Sequence, residues 1–511
     1  MKLAVVFGVS LLISGMAIRL GMVLADSLGM MDRPGGHKQH KASTPFVGGF
    51  GIIAVLASLF LFFGPLRESM ALLPLQGLFL GALVLFLTGL ADDILHISFK
   101  LRFIIQAMVA LCMVFVGHVE LASFGELVPG VRVDLGVLSI PVTVFATVGL
   151  INAVNMIDGI DGLAGSVSLV SLLLAGLVAF VSGHAPYVIL VSALVAAVVG
   201  FLYYNLRYPG NKQARVFLGD NGSMVLGFVF AWLFIALSQG ESPAMSPVTA
   251  LWLFALPLMD TVGVMLRRIW LGKSPFRPDR HHLHHLLVRA GFRVCDIVAF
   301  SVLMQLGLGL IGVAGMLLGV SEFLMFWLFL SLFVAYCLVI MRPWRLVPHL
   351  RRLNLSLGLP SAQAQGIFVG YVRKKCFPEV LDLIAEGMNA TDYDYHVGVY
   401  ESDSSATDGR KVYCVVHIPV NGDEQVIGEV RRAALAIKQR LAWQQDIEVR
   451  LFLSRTGEND LRSSRISAGQ AGSRRSRERR GLQRTLIYSM ERGGGTMSGE
   501  GLGFQVSVPP A

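Results

Sequence analysis

The sequence predicts an all-α polytopic membrane protein of about 11 transmembrane helices, followed by a small cytoplasmic α+β domain and a disordered tail. Composition is the first reason: of 511 residues, 54% are hydrophobic and only 15% are charged. A soluble protein of this size cannot bury so much apolar surface. The second reason is a series of apolar stretches, each long enough to cross a bilayer. Their centres lie near residues 13, 55, 80, 110, 145, 172, 195, 230, 257, 307 and 331.

Lysine and arginine are concentrated in alternate loops. The loops after the first, third, fifth, seventh and ninth stretch contain fifteen of them, whereas the other loops contain only Arg67 and Arg132. The positive-inside rule therefore places the amino terminus outside, and the odd-numbered loops and the carboxyl-terminal region in the cytoplasm. The first stretch has no convincing cleavage site after it and is interpreted as a retained span. Five scattered cysteines indicate neither a disulfide framework nor a zinc site.

Five aspartates lie at the cytoplasmic ends of the apolar stretches: Asp92, Asp93, Asp158, Asp161 and Asp220. Carboxylates next to hydrocarbon are costly unless they are paired or bound to a cation. Mg²⁺ satisfies such groups because it prefers oxygen ligands and is commonly held by one or two carboxylates together with substrate phosphates. Any single one of these residues could instead cap a helix or face water. All five on one side of the membrane indicate a cation site.

Basic side chains and histidines follow the ninth stretch on the same side: Arg277, Arg280, His282, His284 and His285. A transition-metal site is one interpretation, although no cysteine assists it, and a solvated basic surface is another. An anion site for a pyrophosphate fits best, because arginine binds phosphate oxygens and histidine adds directed donors. A cation site beside an anion site indicates phosphoryl transfer. The sequence has no Walker A motif and no GxGxxG after a strand, so ordinary nucleotide-binding folds are not indicated.

One further acid, Asp260, lies inside the ninth stretch. An ionisable residue within a membrane is a candidate functional residue. A structural pair inside the helical bundle explains it equally well, so Asp260 is not assigned to the site.

Four motifs, "GLADD", "NAVNMIDGIDGLAG", "FLGDNGS" and "PDRHHLHHLL", occur in this order between the predicted spans. Together they resemble the polyprenyl-phosphate N-acetylhexosamine-1-phosphate transferases, and the resemblance covers roughly residues 1–345. The loop "HKQHKASTPFVGG" and the "HLHH" form are similar to the branch of that family that uses UDP-N-acetylglucosamine. The resemblance to that branch implies eleven spans, the same number as the apolar stretches.

The resemblance implies a role for each candidate residue. Asp92 and Asp93 would be catalytic residues beside the lipid phosphate, with Asp92 favoured as base or nucleophile. Asp220 would bind the metal with help from Asn155, the metal being Mg²⁺ or alternatively Mn²⁺. Asp161 would hydrogen-bond the uracil and Phe217 would stack on it. The other implied substrate contacts, for the nucleotide, the diphosphate and the sugar, are Asp158, Arg280, His282, His284 and His285, with Lys38 and Lys100 as weaker phosphate-binding candidates.

The implied reaction moves a HexNAc-1-phosphate, in the favoured form GlcNAc-1-phosphate, from a UDP-sugar to undecaprenyl phosphate and releases UMP. The product would start a cell-surface polysaccharide at the bacterial inner membrane. Direct attack by the lipid phosphate is favoured over a phospho-enzyme, because a phosphomonoester with a second pKa of about 6 is largely ionised at neutral pH. The partners are then undecaprenyl phosphate, UDP-N-acetylhexosamine and anionic inner-leaflet lipids. A homodimer is left open, and no specific nucleic acid is expected.

Two alternatives remain at this point. A secondary transporter would place ionisable residues near the bilayer midplane on broken helices, whereas the acids here lie at span ends. A related enzyme acting on UDP-N-acetylmuramoyl-pentapeptide, or on another UDP-linked acetamido sugar, is separated only weakly, because sugar choice depends on a few loop side chains.

The region after the last span changes in composition. Residues 346–365 form a basic juxtamembrane linker suited to the anionic inner leaflet. Residues 366–454 read as strand, helix, strand, strand, helix and strand, which predicts a ferredoxin-like βαββαβ domain. Residues 455–511 are rich in Arg, Ser and Gly and are predicted to be disordered. The domain is interpreted as regulatory or partner-binding, and a passive appendage is the alternative.

Truncation after Leu350 is expected to leave a stable and active core, because the resembling motifs all precede that residue. Thermal denaturation and transferase activity of the purified core, compared with the full chain, test this. Loss of folding or of activity would show that the carboxyl-terminal region is integral.

Overall fold

The computed structural model describes residues 2–32, 44–62, 72–211, 213–272, 274, 281–357, 382 and 386, together with six strands between residues 364 and 496. The chain divides into two compact units. The first contains Met1–Arg33, Ala42–His284 and Val294–Met341, and the second contains Pro34–Lys41, His285–Arg293 and Arg342–Ala511.

Helices make up nearly all of the first unit. In chain order the helices of the described residues are α1 (Lys2–Leu24), α2 (Gly48–Phe62), α3 (Leu72–Leu95), α4 (Phe99–Phe115), α5 (Ser139–Ile157), α6 (Leu163–Val181), α7 (Ala185–Asn205), α8 (Gly219–Ser238), α9 (Pro247–Leu253), α10 (Ala255–Trp270), α11 (Leu283–Arg289), α12 (Val294–Leu317), α13 (Glu322–Ile340) and α14 (Pro343–Ser356). Two short antiparallel strands, β1 (Met31–Asp32) and β2 (Thr44–Pro45), lie between α1 and α2.

Every predicted span centre falls within a helix. Among the described residues, eight helices are long and apolar enough to cross a membrane, and the bent pair α9–α10 makes up to nine. The other two centres lie in shorter helices, since α2 has 15 residues and α4 has 17. A helix rises about 1.5 Å per residue, so these two fall short of a hydrocarbon layer of roughly 30 Å. The protein is a mostly helical, multi-pass membrane protein, and eleven complete spans remain a prediction.

Helix α8 lies at the centre of the bundle. It is almost wholly buried, and it packs against α2, α3 and α5. Gly89 of α3 lies directly against the backbone of Asn221 at the start of α8, where a methyl group would overlap it. A small residue lets two membrane helices approach this closely. The approach brings the acidic end of α3 to the first turn of α8.

The ninth predicted span is broken. Helices α9 and α10 meet at Phe254 with a bend of 85°. A break at membrane depth frees backbone groups that hydrocarbon cannot satisfy. Gln305 of α12, which is fully buried, accepts a hydrogen bond from Leu256 N at 2.9 Å and donates one to Leu253 O at 2.8 Å. One side chain therefore satisfies a group on each side of the break.

Hydrogen bonds divide the loops into two sets, as the alternating charge pattern predicts. At one end, Phe217 N donates to Pro45 O at 2.9 Å, joining the first and seventh loops. At the other end, Gln239 binds the backbone of Ala122 and Ser123, and Ser182 Oγ donates to Ala244 O at 2.7 Å. The odd loops thus meet one another, and the even loops do the same.

The second unit contains α14 and an antiparallel sheet. The strands are β3 (Ala364–Arg373), β4 (His396–Ser402), β5 (Lys411–Pro419), β6 (Val449–Ser454), β7 (Arg484–Glu491) and β8 (Gly494–Thr496), in the order β6-β3-β5-β4-β7-β8. The first four correspond to the predicted strands of the small domain. Its two predicted helices lie outside the described residues apart from 382 and 386, so the ferredoxin-like arrangement remains a prediction.

Two features of this unit differ from the sequence-based expectations. Strands β7 and β8 lie inside the segment predicted to be disordered, because "RTLIYSME" is far richer in apolar and β-branched residues than the Arg/Ser/Gly sequence before it. Helix α14 covers much of the predicted linker and continues to Ser356, so a truncation after Leu350 cuts this helix.

The Gln305→Leu variant is expected to lose about 1–3 kcal/mol of stability for each backbone group left unpaired. Denaturation in detergent micelles measures the loss. Gln239→Leu is the matched control, because Gln239 is partly exposed and water can replace its bonds. Equal losses in the two variants would contradict the role given to Gln305.

Candidate active site

Two predicted aspartates share one arginine. Asp92 is buried near the end of α3, and its Oδ2 lies 2.5 Å from Nη1 of Arg102 in α4. Asp220, in the first turn of α8, places its Oδ2 3.3 Å from the same nitrogen. Carboxylates that are 128 residues apart in sequence (220 − 92) thus converge on a single positive charge.

Asp93, next to Asp92, has a different environment. Its carboxylate accepts hydrogen bonds from Asp220 N at 3.0 Å, from Asn221 N at 3.2 Å and from Asn221 Nδ2 at 2.6 Å. These donors lie at the amino-terminal end of α8, where backbone N–H groups have no partner within the helix and favour a negative charge. Asp93 therefore fixes α8 to α3 in this structure.

Asn155 comes from the end of α5 and connects to the same cluster. Its Nδ2 donates hydrogen bonds to Asp220 Oδ1 and, at 2.9 Å, to Ser223 Oγ. This contact orients the Asp220 carboxylate. The amide nitrogen, which cannot bind a cation, faces Asp220, so a metal-binding Asn155 would have to present its oxygen instead.

Asp158 is the residue immediately after Ile157, the last residue of α5. Burial, and then the negative charges of Asp220, Asp93 and Asp161, raise the pKa of its carboxyl group to about 8. The four predicted acids are therefore close enough to oppose one another's ionisation. A bound cation would relieve this repulsion.

Asp161 and Phe217 are held against neighbouring loops. Asp161 Oδ2 accepts from Arg207 Nε at 2.7 Å and from Ala214 N at 3.2 Å. The Phe217 ring lies 6.0 Å from the Phe46 ring, centroid to centroid. Phe217 is partly exposed. The fifth, seventh and first loops are thereby joined beside the acidic cluster.

The histidine motif enters from the ninth loop. His282 and His284 are buried, and their rings stack at 5.7 Å with an interplanar angle of 6°. A methyl group on Gly159 would lie 2.7 Å from His284 Nε2, so a larger residue there would require the His284 ring or the turn to shift. His285 follows in α11 and is partly exposed. Among the weaker candidates Lys100 is exposed on α4, whereas Lys38, like Arg280, lies outside the described residues.

The acidic cluster fits a hard divalent cation in part. No group of three or more His, Cys, Asp or Glu side chains within the described ranges is arranged to hold a metal. Mg²⁺ does not require such a group, because one or two carboxylates and substrate phosphates commonly suffice. Asp92 and Asp220 already share one cationic nitrogen of Arg102. The same two carboxylates could bind a metal cation in its place.

Sequence reasoning missed three partners. Arg102 is one of the fifteen loop charges and was given no role in the site. Its position in the helix that follows Asp92 and Asp93 is a signal that could have identified it. Arg207, the partner of Asp161, carried no such signal. Asp260 was left unassigned, and its carboxylate contacts His282 Nδ1 at 2.9 Å.

Comparison with known proteins shows the family of the chain. Residues 75–238 match the family model described as glycosyl transferase family 4. Undecaprenyl-phosphate alpha-N-acetylglucosaminyl 1-phosphate transferases are similar over most of their length. The protein of Escherichia coli O157:H7 is 38% identical over 339 residues, 65% of this chain and 90% of the relative. That of Haemophilus influenzae is 38% identical over 331 residues, 65% and 92%, and that of Salmonella typhi 37% over 344 residues, 66% and 91%. The chain therefore belongs to glycosyl transferase family 4, which confirms the resemblance given by its motifs.

Proposed function

We propose that this protein transfers N-acetylglucosamine-1-phosphate from UDP-N-acetylglucosamine to undecaprenyl phosphate. An oxygen of the lipid phosphate attacks the phosphorus that carries the sugar, the bond from that phosphorus to UMP breaks, and UMP leaves. The product is the lipid diphosphate-linked sugar that starts a surface polysaccharide. The observation that carries the proposal is the similarity to relatives of that name over about nine tenths of their length.

The polar groups of the site are proposed to have different roles. Asp92 and Asp220 are the proposed metal ligands, completed by the oxygen of Asn155 after rotation of its amide. Mg²⁺, or Mn²⁺, held there would neutralise charge on the donor diphosphate and on departing UMP. Arg102, which pairs with both carboxylates in this structure, becomes available to bind phosphate oxygens once a cation satisfies the acids. Asp93 positions α8 and contributes no proton.

The nucleotide is proposed to lie beside the Asp158–Asp161 turn. Phe217 is partly exposed and offers a ring on which uracil can stack. Asp161 can bind uracil only through Oδ1 or after Arg207 moves, because Oδ2 already has two donors. His284 lies next to Gly159 of this turn, and His282 stacks on His284. These two histidines are proposed to bind the diphosphate and sugar, and His285 and Arg280 remain candidates from the sequence alone.

Direct attack needs little help from a base, because a lipid phosphate is largely ionised at neutral pH. Asp92 binds Arg102 at 2.5 Å in this structure, which favours a ligand or orienting role over that of a nucleophile. The site is proposed to face the cytoplasm of a bacterial inner membrane, with the amino terminus outside, and the basic helix α14 to contact anionic lipids.

One prediction of the proposed function concerns the reaction. Purified protein, undecaprenyl phosphate, Mg²⁺ and UDP-N-acetylglucosamine should release UMP, and Asp220→Ala should lower the rate by about two orders of magnitude or more. Asp134→Ala is the matched control, since Asp134 is an exposed acid paired with Arg132 in an even loop and its removal should leave the rate unchanged. UMP release without lipid, or UDP as the product, would refute this reaction type. Release from UDP-N-acetylmuramoyl-pentapeptide in place of UDP-N-acetylglucosamine would assign another sugar.

The second prediction concerns pH and metal. An unfolded aspartate ionises near pH 4, whereas the pKa of folded Asp158 is about 8. Between these values the unfolded chain binds fewer protons, so the metal-free protein loses stability as pH rises. In EDTA the Tm is expected to fall by several degrees from about pH 5 to about pH 8, and to fall less in Asp158→Asn. Mg²⁺ at the higher pH should recover more of the Tm in the wild type than in the variant. Identical pH profiles would contradict the assignment.

A further inference from the structure

A buried carboxylate on the broken span contacts the histidine motif. Asp260 lies in α10 and is 2% exposed. It accepts hydrogen bonds from His282 Nδ1 at 2.9 Å, from Leu283 N at 2.9 Å and from Tyr336 Oη at 2.7 Å. The three donors belong to the loop before α11, to α11 itself and to α13. The carboxylate thus holds His282 and Leu283, in the histidine motif, against the interior of the bundle.

These contacts set the chemical state of His282. A carboxylate is an acceptor only, so Nδ1 of His282 must carry the proton that faces it. In the neutral ring Nε2 is then the acceptor, and in the charged ring Nε2 is a donor next to a compensating negative charge. The ring also stacks on His284 with nearly parallel planes. Its orientation and its tautomer are both restrained by one residue.

The bend at Phe254 places this carboxylate. It redirects α10 by 85° from the line of α9, and Gln305 satisfies the backbone on both sides of the break. A straight helix would carry Asp260 along the α9 axis instead. The break sets the position of Asp260, and Asp260 in turn contacts His282.

We infer that Asp260 is a positioning residue for sugar-1-phosphate transfer, acting through His282 on binding of the UDP-sugar diphosphate. This inference rests on the proposed function. Asp260 is proposed to act without touching the substrate. Its effect is to hold the His282 ring in one orientation with the proton on Nδ1.

Asp260→Asn tests the inference, because the change conserves shape. The amide oxygen can still accept from Leu283 N and Tyr336 Oη, whereas an amide NH₂ now faces His282 Nδ1 and forces the opposite tautomer. We expect kcat/KM for UDP-N-acetylglucosamine to fall roughly 10- to 100-fold, by analogy with the loss when the hydrogen-bond partner of a metal-ligating histidine is replaced. The KM for undecaprenyl phosphate should stay unchanged. Asp134→Asn is the matched control for the same chemical change at an exposed site.

A double-mutant cycle distinguishes positioning from general stabilisation. If Asp260 acts through His282, adding Asp260→Asn to His282→Ala should cost no further activity. Additive losses, or an equal rise in the KM of both substrates, would overturn the inference. Activity of Asp260→Asn equal to that of the wild type would overturn it too.

Tyr336→Phe keeps the test decisive if Asp260→Asn does not fold. It removes one donor from Asp260 and leaves the carboxylate facing His282, so the kcat/KM loss should be smaller than that of His282→Ala and absent on the His282→Ala background. A full-sized or additive loss would contradict positioning through His282. Failure of the wild type to release UMP would instead reject the proposed function, so the two failures are distinguishable.

Discussion

Negative charge beside hydrocarbon must be compensated, and this constraint organises the end of the bundle at which the odd-numbered loops meet. Each acid meets it differently. Asp92 and Asp220 share Arg102, Asp93 binds the start of α8, and Asp161 pairs with Arg207. Every one of these contacts joins residues from separate helices or loops. The compensation that makes the acids tolerable is therefore also what brings the site together.

Asp158 lies among these acids at the turn that follows α5. Its raised pKa reflects burial among like charges, which is a cost that a folded protein bears at a functional site more readily than elsewhere. The neighbouring glycine allows His284 to approach the same turn. Among the residues that the structure describes, the turn thus joins an acid without an ion-pair partner to the histidine motif. A ligand carrying both a cation and phosphates would complement the two.

Much of the fold was predictable, because apolar length and alternating charge are one-dimensional properties of the sequence. Helices lie at all the predicted centres, and the odd loops meet at one end. The break at Phe254 was not predicted, since the apolar run continues through it. Pro257 within the first turn of α10 and Gln305 inside an apolar span were the available signals. The acidic and histidine motifs predicted the composition of the site, but pairs such as Arg102–Asp220, separated by 118 residues, depend on packing that no local pattern encodes.

The contact between Gln305 and the broken span also has a consequence for the order of events during synthesis. Leu256 is made 49 residues before the side chain that satisfies its backbone. During synthesis Gln305 is therefore not yet available when the break is made. A chain that stops between these points lacks the side chain that satisfies Leu253 O and Leu256 N in the folded protein.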